Sequence, residues 1–113
     1  MSASAPATSG TDLVVSGSDG SGRAFTWHLS CDPGGGDHPT PEAACLALAE
    51  RGATAMPPVR KERVCAQVYG GPEIATVSGT WRGRPVLSSF NRVNGCEISR
   101  WDALVGLLPK AGT

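Results

Sequence analysis

Ile74-Ala75-Thr76-Val77-Ser78-Gly79-Thr80-Trp81 and Pro85-Val86-Leu87-Ser88-Ser89-Phe90-Asn91, separated by Arg82-Gly83-Arg84, decide how the rest of the chain is read. Both runs are β-like, and the short glycine-containing connection between them makes a hairpin. Upstream, Leu13-Val14-Val15 reads as a short strand. After a turn over residues 17–22, Arg23 to Ser30 alternates Phe25, Trp27 and Leu29 with Thr26 and His28, giving a second hairpin with one apolar face. Val64 to Tyr69 is apolar enough for a fifth strand, stopped by Gly70-Gly71-Pro72.

Two helices complete the pattern. Thr40 can cap the first, with Pro41 at the first helical position, where its missing N–H costs nothing. Ala44, Cys45 and Leu48 then share a face, and Gly52 supplies a left-handed stop after about three turns. Pro57-Pro58 holds the following linker, Met56 to Lys61, extended, and a mixed-charge run, Arg60-Lys61-Glu62-Arg63, leads on from it. Ser99 can cap a second helix whose Trp101, Leu104, Val105 and Leu108 recur at helical spacing before Pro109 ends it. Strands joined by turns rather than regular crossovers predict an α+β fold, a five-stranded antiparallel sheet with two short helices.

The chain has 113 residues, which allows one domain. We place that domain at residues 12–113, after a Ser, Ala, Thr and Pro tail over 1–11 whose composition offers little to bury. Fifteen Gly and nine Pro leave much of the chain to turns, and only 5% aromatic residues make the core lean in large rings. Ten Lys and Arg balance ten Asp and Glu, so a nucleic acid held through phosphate contacts is not an expected partner. No segment approaches the roughly 18 consecutive apolar residues of a membrane span, so no membrane partner is expected either.

Cys31, Cys45, Cys65 and Cys96 contain no C-x-x-C pair, which removes the local geometry of zinc ribbons and thioredoxin-like sites. Two disulfides account for them better, and three pairings are open. Cross-links of this kind suit a small domain in an oxidising compartment and predict a secreted protein.

Catalytic signals are weak. His28 and His38 have no nucleophile arranged beside them, and a metal held by His38, Asp32 and Asp37 in one glycine-rich loop competes poorly with an ordinary turn. Gly34-Gly35-Gly36 lacks the P-loop pattern, and Glu42 in the first turn of the helix would repel an anion. No enzyme activity, cofactor or metal is expected. The segment that stands out is Val64-Cys65-Ala66-Gln67-Val68-Tyr69-Gly70, tethered by a cysteine and followed by a glycine-proline stop, so that it can be extended, exposed and rigid together.

That segment, with Thr76 to Gly83, Phe90, Arg92, Asn94 and Cys96-Glu97, and with Leu29-Ser30-Cys31-Asp32-Pro33, His38-Pro39 and Cys45, resembles the Streptomyces subtilisin inhibitor family of secreted protease inhibitors. The resemblance runs in order from about residue 11 to the end. It implies the pairings Cys31 with Cys45 and Cys65 with Cys96, a five-stranded sheet with two helices, and a homodimer formed through the sheets. Trp81 and Leu13 to Val15 are candidates for the apolar face that a partner copy would cover.

Carried over by position, the resemblance places the reactive bond at Gln67–Val68. Val64, Cys65 and Ala66 fall on the acyl side, Val68, Tyr69 and Gly70 on the leaving side, and Asn94 supports the loop. Family members commonly carry Pro in place of Ala66 and Met or Lys in place of Gln67. A long, uncharged glutamine predicts inhibition of a secreted subtilisin-like serine protease and weak inhibition of trypsin, whose acidic pocket would gain no ion pair. Two alternatives accompany this reading: inhibition of a secreted metalloprotease, alone or in addition, and service of Gln67 as acyl donor to a secreted transglutaminase.

Overall fold

A computed structural model describes residues 10–31 and 34–110. Its central hairpin pairs β3 (Ile74–Trp81) with β4 (Arg84–Phe90) antiparallel, with Val77 opposite Ser88. Trp81 opposes Arg84, so the turn is only two residues long, Arg82 and Gly83. Both have positive φ, 54° and 80°, the two-residue geometry whose twist matches that of the flanking strands. The second hairpin, β1 (Asp12–Ser18) with β2 (Ala24–Ser30), joins through β1, giving one antiparallel sheet in the order β2-β1-β3-β4.

The alternation of the strands decides which face is dry. Leu13, Val15, Leu29, Ala75, Val77 and Phe90 turn inward and are almost wholly buried. They meet Ala44, Leu48 and Ala55 of α1 (Pro41–Ala55), Trp101 of α2 (Gly95–Ala103), and Leu104, Leu107 and Leu108 beyond it. Each such large side chain contributes about 1.5 to 3 kcal/mol on leaving water. Trp101 satisfies its indole N–H on the Pro109 carbonyl at 2.8 Å. Both helices lie on this face, and among the described residues no element covers the other, where Val14, Thr26, His28, Ser78 and Leu87 point outward.

Several expectations are corrected. The sheet has four strands, not five, because Val64 to Tyr69 joins no ladder. Its valines have no core face to enter: Val64 is 94% exposed and Val68 54%. The helix α1 runs through Gly52 to Ala55 because Gly52 is not a stop but a seat for Trp81. A Cβ there would lie 2.6 Å from the indole. Thr40 makes no side-chain cap, and its hydroxyl instead donates to the Gly106 carbonyl at 3.0 Å. Asn94, not Ser99, caps α2, its Oδ1 accepting from the Glu97 amide at 3.0 Å. Of the candidates for a dimer face, Leu13 and Val15 are used in the core and Trp81 against α1, while Val14 points outward.

The residues just before β1 are tied to the sheet. Gly10 and Thr11, which the sequence placed in a tail, accept from the Gly83 and Cys31 amides at 3.0 and 3.3 Å. Residues 1–9 of that tail lie outside the described residues. His38 is buried, its Nε2–H donating to the Leu107 carbonyl at 2.8 Å and its Nδ1 accepting from the Thr40 amide at 3.0 Å. The disulfide Cys31–Cys45 fastens the end of β2 to α1.

Candidate functional site

Residues 63–70 leave the protein body as an extended segment between the Arg60–Arg63 turn and the start of β3. The restraint comes from residues 92–96, the connection between β4 and α2, which runs beneath the segment and is itself fixed by the Asn94 cap.

Four contacts bind the two stretches. The disulfide Cys65–Cys96 crosses from the loop to the first turn of α2. One residue on, the Ala66 carbonyl accepts from the Gly95 amide at 2.9 Å and also from the Val68 amide at 2.9 Å. Beyond Gln67–Val68 the chain is caught again: the Gly70 amide donates to the Arg92 carbonyl at 2.7 Å, and Arg92 Nε donates back to the Gly70 carbonyl at 3.3 Å.

Close approach requires small residues at the crossing points. A Cβ on Gly95 would sit 3.1 Å from Ala66 Cβ, and one on Gly70 would sit 2.7 Å from Ile98 Cδ1. Arg92 is buried and held in place by an ion pair with Asp102 at 2.9 Å and by the Trp101 ring 5.9 Å away. Deeper still, Arg100 donates to the carbonyls of Ala55, Met56 and Ser89 and pairs with Glu97 at 2.9 Å, joining the end of α1 to β4 and α2. The base on which the loop rests is therefore cross-linked to the core.

Between these anchors the side chains are offered to solvent. Gln67 is exposed with only a 3.4 Å bond from its amide nitrogen to the Cys65 carbonyl, and Tyr69 is 66% exposed. Val64 to Gly70 thus form one continuous stretch outside the sheet that contains the Gln67–Val68 bond. Asn94 acts on the loop at one remove. Its side chain caps α2, and that cap positions the Gly95 amide and Cys96, which make the contacts.

Arg92 is quoted in the resemblance without a role, and Arg100 and Gly95 were not anticipated at all. Arg100 carried one readable signal, Glu97 three residues earlier on the same helix. The two histidines stand apart from the loop's bonding network. His28 is exposed beside Asp37, whose carboxylate accepts the His28 amide and is held below its usual range by that bond. Among the described residues no three His, Cys, Asp or Glu side chains gather as a metal site; Asp32 lies outside them.

The family described as subtilisin inhibitor-like matches residues 7–94. Subtilisin inhibitor-like protein 1 of Streptomyces cacaoi is 41% identical over 87 residues, which cover 74% of this chain and 76% of that protein. The subtilisin inhibitor of Streptomyces albogriseolus is 42% identical over 81 residues, 68% of this chain and 53% of its own length. Among solved structures, Streptomyces caespitosus sermetstatin in complex with Bacillus licheniformis subtilisin aligns with a TM-score of 0.56 at 25% identity, over 88% of this chain and 97% of that one.

Proposed function

Because the chain belongs to the subtilisin inhibitor-like family, we propose that it inhibits subtilisin-like serine proteases as a substrate that is not released, with Gln67–Val68 as the reactive bond. The observation that carries this reading is the anchoring of both sides of that bond to one rigid stretch, Arg92 to Cys96. Gln67 enters the primary specificity pocket, and the protease serine attacks its carbonyl carbon. The C–N bond to Val68 breaks, leaving an acyl-enzyme on Gln67 and a free amine on Val68.

In an ordinary substrate that amine diffuses away. Here Gly70 remains bonded to Arg92, and the Val68 nitrogen starts within hydrogen-bond distance of the Ala66 carbonyl. The amine stays beside the acyl carbon at an effective concentration far above any solute's, so religation competes with hydrolysis. The loop has also met its ordering cost before binding, which strengthens the complex relative to a flexible peptide.

The two disulfides support an extracellular setting, and we place the protein among secreted inhibitors. The sheet face left uncovered by helices, with Val14 and Leu87 outward, supports the homodimer that the family resemblance implies. Sedimentation at micromolar concentration tests that assembly, and a monomer there overturns it. No feature of the described residues favours a metalloprotease partner or transglutaminase labelling of Gln67 over this reading.

Titration of subtilisin with the purified protein tests the function. Loss of activity at near one-to-one stoichiometry is expected, with loss of inhibition in Gln67→Pro. Untouched subtilisin activity at several-fold excess contradicts it.

A further inference from the structure

Next to the loop lies a charged run that the inhibitory reading leaves unused. Arg60, Lys61, Glu62 and Arg63 are all exposed, in a turn closed by the Arg63 amide donating to the Arg60 carbonyl at 3.1 Å. Three cations meet one carboxylate in a chain whose formal charge is zero. Arg92 and Arg100, at the base of the loop, are each paired at 2.9 Å with Asp102 and Glu97, whereas Arg60, Lys61 and Arg63 enter no ion pair among the described residues. On the other side of Gln67–Val68, Tyr69-Gly70-Gly71-Pro72 carries no charge before Glu73. The positive excess therefore sits on the acyl side alone.

A mixed-charge run is often only a solvated linker, but this one is fixed to the same body as the loop. Arg63 is two residues before Cys65 and its disulfide, and Arg60 is two residues after Pro58. Arg60 and Arg63 line one cleft of about 370 Å³ with Pro57, Cys96 and Ser99, so their stems lie along the protein surface. Arg63 and Gln67 are four residue steps apart along extended chain, at most about 14 Å. A protease closed over Gln67 thus brings its rim close to this run, where screening over a Debye length of about 8 Å still leaves an effect.

Resting on the loop reading above, we propose that Arg60, Lys61 and Arg63 form a docking flank for a protease that carries carboxylates on the part of its rim that receives residues before the scissile bond. Rim charges of this kind act mainly on the association rate. The flank selects among proteases that Gln67 alone would not distinguish.

Association rate constants test the flank, using one subtilisin in two forms, with carboxylates on that rim and with the same carboxylates changed to amides. The wild-type inhibitor is expected to bind the acidic form about three- to tenfold faster at low salt, the gap closing above about 0.5 M salt. Arg60→Gln/Arg63→Gln should lose the gap, while Arg82→Gln/Arg84→Gln, the same charge change at the far end of the β3–β4 hairpin, should keep it. Equal rates for both subtilisin forms, or a gap unchanged in Arg60→Gln/Arg63→Gln, overturn the flank while leaving inhibition standing. Failure of the wild type to inhibit either form overturns the loop reading and the flank with it.

Discussion

The Gly95 amide donates to the Ala66 carbonyl at 2.9 Å, one residue before Gln67–Val68, and a Cβ on Gly95 would lie 3.1 Å from that of Ala66. The bond and the missing side chain act together: the loop lies close enough to be held because nothing stands between it and the start of α2.

Gly95→Ala should separate stability from inhibition. Alanine favours the first turn of α2 by up to about 1 kcal/mol, while its methyl group pushes Ala66 outward. Melting temperature is expected to hold or rise as inhibition of subtilisin weakens by about tenfold. A variant that inhibits as well as wild type would show that this contact does not set the loop.

Arg92 holds the loop beyond Gln67–Val68, bonded to Gly70 and paired with Asp102. Arg92→Met removes the side-chain bond to the Gly70 carbonyl, leaving only the Gly70 amide on the Arg92 carbonyl, and leaves the half-exposed Asp102 unpaired, at a cost of about 1 kcal/mol in stability. After cleavage Val68 should drift from the acyl carbon, so the cut form accumulates. Arg92→Lys, which cannot reproduce the fork, should rescue little of this. The fraction of cut chain at equilibrium is the measure.

The two disulfides should divide their labour. Each stabilises by about 3 to 4 kcal/mol in the chain-entropy account, but only Cys65–Cys96 touches the loop. Replacing both Cys65 and Cys96 by Ala is expected to turn the inhibitor into a substrate cut at Gln67–Val68. The same change at Cys31 and Cys45 should lower the melting temperature and leave inhibition in the surviving folded protein.

Asp37 gives an acid limb to stability. The His28 amide bond holds its carboxyl below the usual value near 3.8. A folded pKa below the unfolded one adds stability that is complete above the unfolded pKa and is lost as pH falls through the folded value. Asp37→Asn should therefore flatten the melting-temperature curve below about pH 4 and leave its slope at neutral pH unchanged.

Gln67→Lys should redirect the inhibitor. A lysine at the head of the same loop reaches the acidic pocket of trypsin, and trypsin inhibition is expected to rise by at least about 100-fold, the lower range for pairing a buried charge. Unchanged trypsin inhibition would mean that residue 67 does not enter the specificity pocket.

Much of the scaffold was legible because its signals are local. The β3–β4 hairpin, the Phe25, Trp27 and Leu29 face and the Ala44 and Leu48 stripe are all found where the sequence puts them. The fifth strand was misread for a physical reason. Val64 and Val68 are apolar and exposed, a composition that a short window cannot tell from a core strand, and in the present account a protease covers them.

Gly52 and Thr40 misled in another way. Each has a strong local meaning, helix stop and helix cap, that a distant partner overrides, Trp81 in one case and the Gly106 carbonyl in the other. Arg92 and Arg100 act through carbonyls of chain segments up to 45 residues away, which no spacing rule exposes. The exposed segment could be picked out from its residues, and the resemblance supplied Cys65–Cys96 and Asn94, but the contacts through Arg92, Gly95 and Arg100 could not be read.

Prolonged incubation with a small amount of subtilisin, followed by mass spectrometry of the unreduced and reduced protein, tests the central claim most directly. The account predicts one cut, at Gln67–Val68, with intact and cut chains reaching the same ratio from either starting form and the halves still joined through Cys65–Cys96. Cleavage elsewhere, or progressive digestion with no return from cut to intact chain, would contradict it.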